Sequence, residues 1–421
     1  MPYYMLTGEA LNAIDVQLPS SHVVMAPTGT DALYPLAQMF DGKPYLATKW
    51  IGAGADPRVT VDLNQIPGDG EGPGSAPATS YSGVWTADVG TIAVEGTIKN
   101  SGASSIKLTG VGAQCHVDIL VRAGQKRKAE WALYGNTVAT NFQVTNLHTG
   151  KNLFPDGSWG ALGTLLDSQV AASWKTGSIQ YQVESLAACG SSPLVWLRFT
   201  FISQGATPAY IDDILDYPAV DFAGCFGTQN WDPVLAPQLR SSTDNFSGSD
   251  VLQGAMTFAK PVVSVRLAAP VYNRWWRLKL LGTPRVAPGL GEFVLGQAQL
   301  LQRAPQLGPK VSWIEAGQIR RGAISGATRA RNMGPWPTRD VQMSWRFKDQ
   351  ASFRQFRDEL FRGSRGGAIP TILMATDATQ GLDYPVFGML SETFAGKRIA
   401  TTGIEVWDVD VEINEQPFPS L

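Results

Sequence analysis

The apolar residues of this chain recur at every second position. Val59-Thr60-Val61-Asp62-Leu63, Val263-Ser264-Val265-Arg266-Leu267 and Trp276-Arg277-Leu278-Lys279-Leu280 all follow this rule. A period of two marks a strand with one buried face and one solvated face. Ile404-Glu405-Val406 alternates in one phase and Trp407, Val409, Val411 and Ile413 in the other, a slip that predicts a β-bulge at Trp407. The 44 Gly and 27 Pro among 421 residues exceed the usual share of roughly 12%, so turns are frequent. Short strands between such turns argue for sandwiches or jelly rolls. One helix stands apart. Asp349 is placed to cap it, Phe353, Phe356, Leu360 and Phe361 mark one face, and Gly363 suits the left-handed position beyond its end. It is expected over about 350–362.

Several function classes fall away on composition. With 34 basic and 36 acidic side chains, the chain is not a generally basic nucleic-acid binder. An apolar content of 44% with a net charge of -2 excludes a disordered chain. Cys115, Cys189 and Cys225 are too few and too scattered for a disulfide framework or a zinc site, and read as small buried hydrophobes. The three histidines, His22, His116 and His148, have no metal-ligand spacing, and neither a GxSxG elbow nor a P-loop occurs. No catalytic residue is therefore assigned. The N-terminus lacks the basic and apolar regions of a signal peptide, and no run of 18 apolar residues exists. Synthesis in a cytoplasm without membrane insertion is expected.

The clearest break is the Gly/Pro stretch over 67–79, Pro67 to Thr79, and a second falls at Arg303 to Pro309. Before the first break, Tyr34-Pro35-Leu36, Phe40-Asp41-Gly42, Trp50 and Val59 to Leu63 resemble the opening of a discoidin-like, or galactose-binding-like, β-sandwich. The matching end comes some 200 residues later, as Ser241 to Phe246, Tyr272 to Leu280 and Glu292 to Gly296. Between them, Gly102 to Leu108, Val195-Trp196-Leu197-Arg198-Phe199 and Ala209-Tyr210-Ile211-Asp212-Asp213-Ile214 resemble strands of carbohydrate-binding jelly rolls. The resemblance implies a mainly β chain. Residues 1–66 and 222–302 would form one discontinuous sandwich, with 80–221 a jelly roll inserted at an exposed loop, where insertion costs little. Residues 303–421 would be a C-terminal β-sandwich domain carrying the helix.

Within the expected jelly roll, Trp131, Tyr134, Trp159 and Trp174 lie near turn-like sequence and are candidate sugar platforms, because an aromatic face suits the C–H face of a sugar. Core packing is the competing reading for each Trp. Asp212 and Asp213 are adjacent in a strand and so are expected on opposite faces, against a cooperating acid–base pair. The jelly-roll resemblance implies that Asp213 helps to hold a structural calcium ion.

Charge is segregated. Residues 303–365 hold eleven Arg and two Lys against five acids, while the remainder is acidic. Arg354, Arg357 and Arg362 are candidates for docking on an acidic neighbour, with a solvated basic face as the plain alternative.

The opening "DG…W" and closing "RWWRLKL" elements, with the strand–helix–strand order of the last third, also resemble tail-tip or baseplate proteins of long-tailed bacteriophages. That resemblance implies a structural virion protein at the tail end. It would assemble with copies of itself and other tail proteins, and its sandwich modules would touch cell-surface glycans. The alternative is a carbohydrate-active enzyme or its glycan-binding module.

Overall fold

A computed structural model describes residues 3–7, 50–51, 55–66, 310–314, 317–321, 328–332, 338–358, 360, 371–375, 385–391, 395–401 and 404–415. It also describes 85–300, apart from 103, 138, 162, 229–230, 232–234 and 260–261. The 67–79 linker, the Tyr34 to Gly42 motifs and Arg362 lie outside these residues. The fold is mainly β, with one helix among the described residues.

A ten-stranded antiparallel sheet is built over 86–218. Its spine is the 18-residue strand Ser105–Arg122, which serves two halves. Near its start Ile106, Lys107 and Leu108 pair with Ala209–Pro218; further along, residues 114–122 pair with Leu194–Ser203. Between these stretches Gly110 has φ +123°, a conformation that costs other residues dearly. The neighbouring strand Thr86–Glu95 turns with it at Gly90, where a Cβ would lie 2.5 Å from the Thr109 carbonyl. The sheet thus folds over itself and encloses one core, in which Phe142 and Phe201 stack at 4.5 Å.

The chain leaves this unit through Ala209–Pro218 and continues directly into Val220–Phe226 of a second unit with two four-stranded sheets. In one of them Arg58–Asp62 pairs with Trp275–Leu281, Val61 opposite Trp276 and Val59 opposite Leu278. Asp62 and Arg274, 212 residues apart in sequence, form a buried two-pronged ion pair at 2.8–3.0 Å. These segments share the core of Val59, Val61, Leu239, Trp276, Leu278 and Leu295.

An eight-stranded sheet contains most of the strands beyond residue 298. Helix Gln350–Arg357 lies on it, with Asp349 accepting from the Ser352 N–H at 2.7 Å. Phe353 stacks on Trp407 at 4.6 Å, and Phe356 meets Trp345 and Phe347. Residues 358 and 360 continue it in a wider helical turn, Leu360 reaches the core, and Phe361 and Gly363 lie outside the described residues. The phase slip at Trp407 is not a bulge: Ile404–Glu415 runs in unbroken register with both Thr338–Phe347 and Ala395–Thr401. A second difference concerns the N-terminus. Tyr3–Thr7 does not join the sandwich of Arg58–Asp62; it pairs with Thr371–Ala375 and Gln299–Leu300 in this last sheet, where it lies between the two. Cys115, Cys189 and Cys225 are all buried and unpaired.

Candidate functional site

In the strand Leu194–Ser203, Val195, Leu197, Phe199 and Phe201 enter the core, so Trp196 and Arg198 point outward. The strand is central, between Ser105–Arg122 and Thr140–Asn146. Trp196 is nevertheless 49% exposed. Two residues on, Arg198 makes a two-pronged bond to Asp118, both contacts at 2.8 Å. Next along that face, His116 Nδ1 lies 2.8 Å from Asp88 Oδ2, its Nε2 is 4.0 Å from Asp118, and Gln114 donates to Asp88. An open indole therefore neighbours a fixed row of donors and acceptors, the combination that takes the C–H face and the hydroxyl edge of a sugar.

The other half of the sheet carries a second aromatic row. Register sets Trp174 opposite Tyr134, Tyr134 opposite Tyr210, and Tyr210 opposite Lys107. Ring centroids follow at 5.4 and 5.5 Å, and the Lys107 ammonium lies 6.0 Å from the Tyr210 ring. A cavity of about 420 Å³ opens on the same half, lined by Glu130, Trp131, Thr176, Gly177, Ser178, Asp213 and Leu215.

Of the four expected platform residues, Tyr134 and Trp174 meet; the others do not join them. Trp131 is 5% exposed and donates its indole N–H to Asp167 at 2.8 Å, a core position set by its alternation with Ala129 and Leu133. Trp159 packs on the core and donates to the Gln182 carbonyl at 2.8 Å. Gln182 and Trp174 end the same strand, about 26 Å apart at roughly 3.3 Å per residue, so Trp159 and Trp174 cannot form one platform.

No protein-family model matches the sequence, and no curated protein is similar to it. Some solved structures are similar. One is a family 16 carbohydrate-binding module, 10% identical over 31% of this chain and 89% of that one, with a TM-score of 0.24. Another is the CBM22-1 xylan-binding domain of Paenibacillus barcinonensis Xyn10C, 15% identical over 40% and 97%, TM-score 0.25. A third is the enzymatically active domain of tailspike protein 4 of bacteriophage CBA120, 14% identical over 32% and 19%, TM-score 0.23. Likenesses this distant say nothing of what this chain binds.

Asp212 and Asp213 depart from strand alternation. The pairing register shifts between Asp212 and Leu215, and Asp213 has φ +50°. Both carboxylates consequently meet one loop. Asp212 accepts from the Asn100 and Ser101 N–H groups at 2.7 and 3.2 Å and from its neighbour's N–H; Asp213 takes the Asn100 amide and the Ser101 hydroxyl. All four oxygens thus accept hydrogen bonds from that loop or from the adjacent backbone. No group of three or more His, Cys, Asp or Glu suited to a metal exists among the described residues.

Burial, and then Asp213 alongside, push the Asp212 carboxyl up from 3.8 to about 6, against the N–H groups of the loop. An acid raised in the folded state holds its proton more tightly there than when unfolded. Its contribution to stability is therefore largest below about pH 4 and declines as pH rises to about 6. Asp212→Asn, which keeps an acceptor without the charge, is expected to gain about 1–2 kcal/mol on wild type between pH 4 and pH 7.5. Urea unfolding at the two pH values checks this, and an unchanged difference would remove the burial argument.

The expected docking arginines divide as well. Arg354 is exposed, whereas Arg357 is held by the adjacent Asp358 at 2.8 and 3.0 Å. Other charges of the basic stretch are neutralised from the last strand: Arg339 by Glu415, buried, and Arg346 by Asp408.

Proposed function

We propose that this chain binds a neutral glycan through its jelly roll, as a structural rather than catalytic protein. The observation that carries the reading is Trp196, half-exposed in the centre of a sheet and bordered by the Arg198–Asp118 and His116–Asp88 pairs. A large apolar ring left open on a central strand gains by stacking, and the fixed charges beside it are hydrogen-bonded in an orientation that leaves little ordering to a ligand. Titration of the full chain with soluble xylan, β-glucan and galactan, followed by tryptophan fluorescence, tests it. Stacking contributes ~0.5–1.5 kcal/mol beyond area burial, so Trp196→Ala is expected to weaken binding of the preferred glycan about tenfold or more. Equal affinity of wild type and variant would overturn the assignment.

A second reading rests on Glu130 and Asp213, which line one cavity and supply the two carboxylates that glycoside hydrolysis requires. Release of reducing sugar, lost in Glu130→Gln, would make the chain a carbohydrate-active enzyme.

The wider setting we propose is the tail tip or baseplate of a long-tailed bacteriophage, with the C-terminal sheet joined to other tail proteins or copies of itself. Supporting it are the sequence resemblance and Arg354, exposed on a helix whose Phe353 and Phe356 face the core. Particles assembled with Arg354→Glu are expected to be fewer while the monomer stays folded. Normal particle yield would count against that interface.

A further inference from the structure

The sheet of Arg58–Asp62, Trp275–Leu281, Ala236–Ser242 and Val251–Ala255 turns Val59, Val61, Trp276, Leu278 and Leu239 into its core. Alternation then sends Arg58, Thr60, Arg277, Lys279 and Arg240 to the opposite face. Register places Lys279 beside Arg58, and Arg277 between Thr60 and Arg240. Four cations thus occupy neighbouring positions on three strands.

Two of them are neutralised. Arg240 Nε lies 2.6 Å from Asp250, and Lys279 Nζ lies 3.3 Å from Asp56. Arg58 and Arg277 form no ion pair among the described residues. The Nε of Arg58 is cut off from solvent and has no hydrogen-bond partner. Arg277 gives its Nε to the Thr60 hydroxyl at 3.0 Å and lies 3.6 Å over the ring of Phe246, which fixes the guanidinium plane. Burial, and then repulsion from Arg58, loosen its proton relative to an ordinary arginine, against the pull of the Asp250 carboxylate that Arg240 holds nearby. Diagonal neighbours on a sheet face are roughly 7–8 Å apart, a gap that one oxyanion spans between two guanidinium forks.

We propose that this face binds an oxyanion, the carboxylate or sulfate of an acidic polysaccharide, between Arg58 and Arg277. Such a group accepts from the terminal nitrogens of both forks and relieves the repulsion between them. Guanidinium suits this role because its planar donors match a carboxylate or sulfate edge to edge. The whole chain carries a net charge of -2, which disfavours a long polyphosphate and leaves a local contact to a sparsely charged polymer. The choice of a polysaccharide as carrier rests on the glycan reading above; the oxyanion contact does not.

The test uses the full chain, its Arg58→Gln/Arg277→Gln double variant and Trp196→Ala. Alginate binding at low salt is expected to weaken at least tenfold in the double variant and to fall with added salt in the wild type. Xylan, β-glucan or galactan binding should be unchanged by the double variant and weakened about tenfold or more in Trp196→Ala, which separates failure of this site from failure of the glycan reading. Sodium sulfate, against sodium chloride at equal ionic strength, should raise the melting temperature of the wild type more than that of the double variant. If the glutamines impair folding, Arg58→Lys/Arg277→Lys keeps the charge and should show intermediate alginate affinity. Equal alginate binding by wild type and double variant, no alginate binding by the wild type, or preference for duplex DNA at equal charge would each overturn the proposal.

Discussion

Arg127→Ala is expected to destabilise the protein by roughly 3–5 kcal/mol, the usual effect of removing one partner from a buried ion pair. The side chains of Arg127 and Asp216 are both fully buried and in direct contact. Arg127 Nε donates to Asp216 at 2.6 Å, Nη1 to Gln125 and Nη2 to Gln65, each at 2.5 Å. Tyr181 gives its hydroxyl hydrogen to the remaining Asp216 oxygen at 2.6 Å. Deleting the guanidinium leaves a buried carboxylate with one donor, and leaves Gln65 and Gln125 without theirs. The effect should extend beyond the jelly roll, because Asn64 and Gln65 bond to the Asp216 backbone two residues after Asp62 engages Arg274. One short segment is thus fastened into two cores. In calorimetry, the transitions of both units should move down together. A shift confined to one would show that the segment does not couple them. Asp216→Asn should be costly as well, since it leaves the buried Arg127 guanidinium without its counter-charge.

What could be read from the residues depended on whether the deciding interaction was local. Asp349, Phe353 and Phe356 lie within two helical turns, so cap and buried face were legible without any partner strand. The period of two gave the mainly β class, and applied to Val195-Trp196-Leu197-Arg198-Phe199 it already places Trp196 and Arg198 outward. The same alternation does not say that a ring on a central strand stays open to solvent, because that depends on what covers the outer face of the sheet. The row Trp174–Tyr134–Tyr210 is different. It exists only through the register of three strands, which no local pattern specifies. Trp131 shares a face with Ala129 and Leu133 but also with Arg127, and a buried arginine hides the apolar pattern until its partner Asp216 is known. At Asp213 a left-handed residue and a register shift override alternation, bringing together two carboxylates that strict pleating would separate. Tyr3–Thr7 finds its place between Thr371–Ala375 and Gln299–Leu300, strands some 300 or more residues away, and nothing in five residues encodes that choice.

Trp276→Ala is expected to cost roughly 3–5 kcal/mol, against little for Trp196→Ala. Both tryptophans sit on central strands in similar sequence, "WWRLKL" and "VWLRF", yet face opposite ways. Trp276 has no exposed surface, packs with Val61, Leu239 and Leu278, and donates its indole N–H to the Asn273 carbonyl at 2.8 Å. Truncation opens a cavity in the core that holds Arg58–Asp62 to Trp275–Leu281, and it leaves a partly buried carbonyl without its donor. Denaturant unfolding should lower the midpoint for the second unit while the jelly-roll transition stays near its wild-type position. Neutral-glycan binding should survive wherever the protein remains folded. Trp196→Ala should give the converse, unaltered unfolding with binding reduced. The two variants together separate a tryptophan that holds the fold from one that the fold presents, and a comparable loss of stability in both would return Trp196 to structure and withdraw the glycan site built on it.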